Sequence, residues 1–228
     1  MAKASGWELL QAKRYKAALA RLREEHAKDG SDGLRNNMAI TYLCMGDFES
    51  ARVIFDDLLK GESSEAGSAA FAYAGLVRWL MGDVRDAINH WKGGLDCKYS
   101  DGAGGMELPL LLYYAGVRHP ESYPLGNAKK LITQRLKSGW SRNWPGAIGR
   151  FLVGRIDEKQ MRKLARFEIE LVEIQQMTQA DFYVGVECIR LGNQNEFYER
   201  MNRCSIQANC EILYEPFLAQ NEVKSQRK

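Results

Sequence analysis

The chain has no stretch approaching the ~20 apolar residues that a membrane-spanning helix requires. Its longest apolar run, Leu108 to Val117, is interrupted by Pro109 and Gly116. It opens Met-Ala-Lys-Ala-Ser-Gly-Trp-Glu-Leu-Leu and so lacks the uncharged apolar core of a secretory signal. Proline is scarce, five in 228 residues, which removes the main obstacle to a largely helical chain. Cysteine pairs are missing as well. Cys44, Cys97, Cys188, Cys204 and Cys210 are odd in number, and no two have the spacing of a redox or zinc Cys-x-x-Cys. Together these absences predict a soluble, cytoplasmic protein without a membrane span, its thiols free or buried as small hydrophobes. Hydrophobic residues at 45% and charged residues at 27% are ordinary globular values and exclude wholesale disorder.

Reactive constellations are absent too. There is no Gly-x-Ser-x-Gly, no phosphate-loop Gly-Lys-Ser/Thr, no dinucleotide Gly-x-Gly-x-x-Gly and no His-Glu-x-x-His. His26, His90 and His119 are far apart in the chain, with no partner at metal-ligand spacing. Glu24-Glu25 and Asp56-Asp57 are adjacent carboxylates, which diverge by ~100° on a helix and cannot face one substrate as an acid–base couple. A non-enzymatic protein is expected, with no cofactor and no metal.

What the sequence does contain is a repeat. Gly46-Asp47-Phe48 and Gly82-Asp83-Val84 lie 36 residues apart. Seven residues before each glycine stands a small residue, Ala39 or Gly75, and four before stands a large one, Tyr42 or Arg78. Five after each stands Ala51 or Ala87, and nine after, Phe55 or Trp91. The template fits upstream around Lys13, with Gly6, Ala18 and Leu22, and downstream around Gly192, with Gly185 and Met201. There Phe197 takes the alanine position. Two antiparallel helices joined by a tight turn need small residues where their backbones approach and large ones to fill the adjoining groove. Glycine supplies the left-handed helix end and the following Asp begins the next helix.

These positions resemble the tetratricopeptide repeat (TPR) family, over residues 35–62 and 70–97 and, less closely, 3–28 and 180–206. Trp144-Pro145-Gly146-Ala147-Ile148, with Phe151 to Glu158, is similar to the penultimate unit of some bacterial TPR proteins, and Phe182-Tyr183-Val184-Gly185 to their last unit. The resemblance implies an all-α, right-handed superhelical stack of about five helix-turn-helix repeats in one domain over 1–228. Front repeats would occupy 3–97, degenerate rear repeats 106–206, and a polar-faced C-terminal capping helix 207–222. Asp101 to Gly105 is expected to be a flexible loop, Asn127 to cap a helix from Ala128 to Lys137, and Lys224 to Lys228 to be disordered.

The resemblance also implies a concave face built from the first helix of each unit. It would offer Trp7, then Asn36, Asn37 and Ile40, then Tyr73, Leu76 and Trp79, as a groove for a protein segment. A family clamp for chaperone tails is not implied, because Trp7, Ala69 and Tyr73 stand where that clamp has polar or cationic residues.

A second candidate surface is electrostatic. From Ser122 to Ile156 there is no Asp or Glu in 35 residues, while seven cations occur: Lys129, Lys130, Arg135, Lys137, Arg142, Arg150 and Arg155. The rest of the chain carries 25 basic and 29 acidic residues, or −4. Trp140 and Trp144 sit inside the basic stretch. Such a surface suits an acidic protein partner, the leading expectation, or nucleic acid, the second. The most specific form of the first is an immunity or inhibitor protein that masks a toxin.

Overall fold

The computed structural model describes residues 3–60, 67–97, 101–207 and 212–226. Among the described residues the chain is helical and has no strand. The helices are α1 Gly6–Gln11, α2 Tyr15–Asp29, α3 Asp32–Cys44, α4 Phe48–Leu58, α5 Gly67–Leu80, α6 Val84–Gly93 and α7 Glu107–Arg118. They continue as α8 Leu125–Arg135, α9 Gly146–Leu152, α10 Glu158–Leu164, α11 Glu170–Arg190, α12 Gln194–Ser205 and α13 Glu215–Gln226. Each of them packs mainly on its neighbours in chain order.

The turns follow directly from their residues. At Gly46 the backbone is left-handed, φ 77°, and the amide of Asp47 bonds the carbonyl of Tyr42 while that of Gly46 bonds Leu43. Gly82 repeats this at φ 89°, with Asp83 on Arg78 and Gly82 on Trp79. This is a Schellman helix end, which satisfies carbonyls that the finished helix leaves unpaired. Asp47 and Asp83 then cap the next helix by accepting from the amides of Ser50 and Asp86. Lys13, Gly154 and Gly192 adopt the same left-handed backbone and the same pair of bonds.

The small and large positions of the repeat meet across these turns. A Cβ on Gly6 would stand 2.5 Å from Leu22, one on Gly75 2.3 Å from Trp91, and one on Gly185 2.6 Å from Met201. Ala18, Ala51, Ala87 and Phe197 are fully buried, as are Leu22, Phe55, Trp91 and Met201. Each such large side chain contributes ~1.5–3 kcal/mol by leaving water. One contiguous core runs from Leu10 on α1 to Ala219 on α13.

Ion pairs tie the hairpins to one another. Arg78, buried on α5, bonds Asp56 of α4 and Asp86 of α6. Asp57 turns the other way, to Arg35 of α3. Arg162 of α10 and Arg200 of α12 share Glu158 and Asp181.

Several expectations are corrected. Residues 101–105, expected as a loop, form a turn in which the Asp101 carboxylate accepts from the amides of Ala103, Gly105 and Glu107 at 2.7–3.1 Å. Helix α8 begins at Leu125, not Ala128, behind an extended Pro124 that supplies the helix-entry geometry. The last helix spans Glu215–Gln226, so residues 224–226 are helical rather than a disordered tail. Residues 208–211 of the expected capping helix, Cys210 among them, lie outside the described residues, as do 61, 62, 227 and 228. Nor is α13 simply a polar-faced end cap. It packs on α11 and α12 and also reaches α5, across from them.

Candidate partner-binding surfaces

The third hairpin decides the fate of the expected groove. Tyr73, Leu76 and Trp79 are buried rather than lining an open channel. The Tyr73 ring stacks on Phe55 and meets Tyr214 edge-on at 4.8 Å, and its hydroxyl donates to the carbonyl of Ile212 at 2.6 Å. Trp79 packs between Trp91, Tyr114 and His119. Ile40 is buried as well, while Trp7, Asn36 and Asn37 are half-buried. The physical reason differs along the helix: residues 212–214 of the C-terminal segment close over Tyr73, whereas Trp79 is covered by Trp91, Tyr114 and His119 of the elements that follow.

This covering segment brings carboxyl groups into the interior. Glu215 and Glu222 are seven residues apart, hence on one face of α13, with Leu218 and Ala219 between them; all four are buried. Glu222 receives Arg118 at both oxygens, 2.8 and 3.0 Å, and the hydroxyl of Tyr114 at 2.6 Å. Glu215 receives the side-chain amide of Gln179 at 3.0 Å, and Gln179 in turn accepts from the Trp144 indole at 2.7 Å. The second oxygen of Glu215 is buried, and the Tyr183 hydroxyl helps to hold the carboxyl. Tyr214 donates to Glu107 at 3.3 Å. Burial, reinforced by the charges of Asp101 and Glu215, pushes the Glu107 carboxyl up to about 8. Burial pushes Glu215 up to about 7. The sequence signal for this layer was available as Glu215-x-x-Leu218-Ala219-x-x-Glu222, two acids bracketing an apolar pair on one helical face.

The basic stretch has the opposite character. Lys130, Lys137, Arg142 and Arg155 are exposed, and Lys129, Arg135 and Arg150 are half-buried. Among the described residues none of the seven forms an ion pair, whereas Arg21, Arg35, Arg52, Arg78, Arg118 and Arg162 all meet carboxylates. Arg135 donates to the carbonyl of Leu95, and Arg150 to that of Ser141 at 2.7 Å. Partial burial lowers the affinity of Arg150 for its proton. Arg150 is thereby held against the turn Gly139–Arg142, which carries Arg142 and Trp140 and begins two residues after Lys137. Lys129 and Lys130 lie nearer the start of α8, ~10 Å along its axis from Lys137. The two tryptophans divide. Trp144 is half-buried and hydrogen-bonded inward, while Trp140 is 68% exposed.

Other groups serve packing. His26, His90 and His119 are not brought together, and no group of three or more potential metal ligands occurs among the described residues. Cys44, Cys97, Cys188 and Cys204 are thiols. An apolar edge, Leu164, Phe167, Ile169 and Leu171, is partly exposed where α10 joins α11. Phe167, Ile169 and Leu171 alternate with Glu168 and Glu170, a period-two pattern that the repeat template passes over. No described helix is long and apolar enough to cross a membrane. Comparison with protein-family models gives no match for the chain, and comparison with curated proteins gives none either.

Proposed function

We propose that the chain is a non-enzymatic, TPR-like helical-repeat module that binds an acidic protein partner through the face around Trp140. In this reading the hairpins form a right-handed stack of about five repeats whose role is to present a surface. The observation that carries it is the stretch 122–156: seven cations without an ion pair among the described residues, beside an exposed tryptophan. Arginines on both sides of this stretch meet neighbouring carboxylates, from Arg21 to Arg200. Cations left uncompensated keep their attraction for an acidic surface and speed its approach. A projecting Trp is the residue type most often responsible for binding energy at protein interfaces. An immunity or inhibitor protein masking a toxin is the most specific form of this proposal, and a toxin gene adjacent to this one would favour it.

The test is capture from the native cell with wild-type protein, Trp140→Ala and Lys137→Glu/Arg142→Glu, followed by reconstitution with the purified candidate. The reading requires a partner that binds wild type and is lost with both variants. The same exposed ring and cations suit single-stranded nucleic acid, where bases stack on aromatics. A labelled oligonucleotide separates the two. Steep loss of oligonucleotide affinity between roughly 50 and 200 mM salt, with no acidic protein retained, would favour nucleic acid.

A further inference from the structure

We propose that the exposed apolar ridge where α10 joins α11, together with the basic cleft beside it, is a two-fold interface for a second copy of this chain.

The ridge is built from Leu164, Phe167, Ile169 and Leu171, which are 50%, 50%, 58% and 38% exposed. Cover is missing further along as well. Helix α11 buries nothing before Thr178, although Val172, Ile174 and Met177 precede it. Single exposed apolar residues need no explanation, but a contiguous group of them marks an interaction site. The ridge is also held in one shape. Ala165 within it is fully buried, and the Glu173 carboxylate accepts from Arg166 at 2.7 Å and from the Phe167 amide at 3.1 Å. A partner therefore does not have to order it on binding.

Beside the ridge an open cleft of about 920 Å³ runs along α10, with Lys159, Arg162, Lys163 and Arg166 in its lining. Its two acids are already engaged. Asp157 caps α10 by accepting from the Gln160 amide, and Glu158 is taken by Arg162 at 2.7 Å and Arg200 at 2.9 Å. Lys159 and Lys163, four residues apart and so on one helical face, are exposed and form no ion pair among the described residues. The same holds for Glu168 and Glu170, which alternate with the apolar residues of the ridge. One half of the surface is thus a cationic hollow, the other an apolar projection bearing carboxylates. An acidic partner would suit the cleft and be repelled by the ridge, and a basic one the reverse. A second copy suits both. A two-fold axis sets each ridge into the other chain's cleft, with Glu168 and Glu170 facing Lys159 and Lys163, and closes the assembly at two chains. The apolar side chains supply the affinity and the exposed charges set the register. None of these residues belongs to 122–156, so the inference does not depend on the Trp140 reading.

The experiment is analytical ultracentrifugation of the full chain over a concentration series from about 1 μM to about 1 mM. Wild type should pass reversibly from monomer to dimer within it. Phe167→Ser/Ile169→Ser should weaken the dimer about tenfold or more. Lys159→Glu/Lys163→Glu and Glu168→Lys/Glu170→Lys should each weaken it about tenfold at low ionic strength, because like charges then face one another. An equimolar mixture of these two charge variants should dimerise again, since the inverted cleft of one meets the inverted ridge of the other while the native halves also pair. All six substituted residues are exposed, and thermal melting followed by circular dichroism checks that each variant is folded. The ridge variant and the charge exchange test the interface independently of one another. Wild type that stays monomeric throughout the series would overturn the inference, and assemblies that grow beyond two chains would overturn the closed two-fold. Dimerisation untouched in the Phe167/Ile169 variant would place the contact elsewhere. A mixture no more associated than its separate components would refute the pairing of ridge with cleft.

Discussion

A Cβ on Gly75 would stand 2.3 Å from the indole nitrogen of Trp91, and that same nitrogen donates to the carbonyl of Ala72 at 3.0 Å. The indole cannot retreat without giving up a buried hydrogen bond. It also cannot stay if residue 75 gains a methyl group. Gly75→Ala should therefore destabilise the protein by ~1–3 kcal/mol, as overpacking does. Ala51→Leu and Ala87→Leu, at fully buried sites, should do the same. Thermal denaturation checks all three, and an unchanged melting temperature would mean that the register of the repeat is misassigned.

The buried carboxyls predict a dependence of stability on pH. Glu107 and Glu215 have folded values raised to about 8 and about 7, from 4.5 for a free carboxyl. A raised carboxyl holds its proton in the folded state while the unfolded chain has already released it, so stability falls as pH rises from about 4.5 through the folded values. Facing them are Asp101, Tyr73, Tyr183, Tyr214 and Gln179. Glu107→Gln and Glu215→Gln replace the protonated acid by a neutral group of the same shape. The difference in stability between wild type and each variant should shift against wild type across this window and level off above about pH 8. Denaturant titrations at pH 5, 7 and 9 measure it; parallel curves would refute it.

The thiols give a redox prediction. Titration of denatured, unreduced protein should find five reactive cysteines. In the folded protein burial raises the Cys97 and Cys188 thiols above their ordinary value, so both should label slowly at neutral pH. Two missing thiols would signal a disulfide and would count against a reducing compartment.

Trp140 should separate binding from folding. Its ring is 68% exposed, so Trp140→Ala should alter stability by no more than ~0.5 kcal/mol. If the face around it meets the partner, the same change should weaken binding by ~2 kcal/mol or more. Charge reversal at Lys137 and Arg142 should instead slow association. That effect should shrink with added salt, because exposed charges are screened beyond ~10 Å at 0.1 M. Surface plasmon resonance at two ionic strengths distinguishes the two kinds of loss.

The hairpins were legible because their determinants are local. A left-handed turn at Gly46 or Gly82 and an Asp cap one residue later are properties of a few consecutive residues. The pairing of Gly75 with Trp91 needs only sixteen residues and one turn. The α10–α11 junction was missed for another reason: Phe167, Ile169 and Leu171 alternate with Glu168 and Glu170 as strand residues would, and the helical template has no place for them.

By itself the sequence determined helices, turns, the small–large contacts inside each hairpin and the uncompensated charge of 122–156. Which side chains remain open to a partner was decided only by tertiary structure. Tyr73 reads as a groove aromatic on its own helix, yet its hydroxyl is bound by Ile212, 139 residues away. Trp140 and Trp144, four residues apart in one basic stretch, part company because only Trp144 meets Gln179 of α11. Burial is a property of what covers a residue. The covering segment here lies at the far end of the chain, where no local pattern couples it to the face it closes.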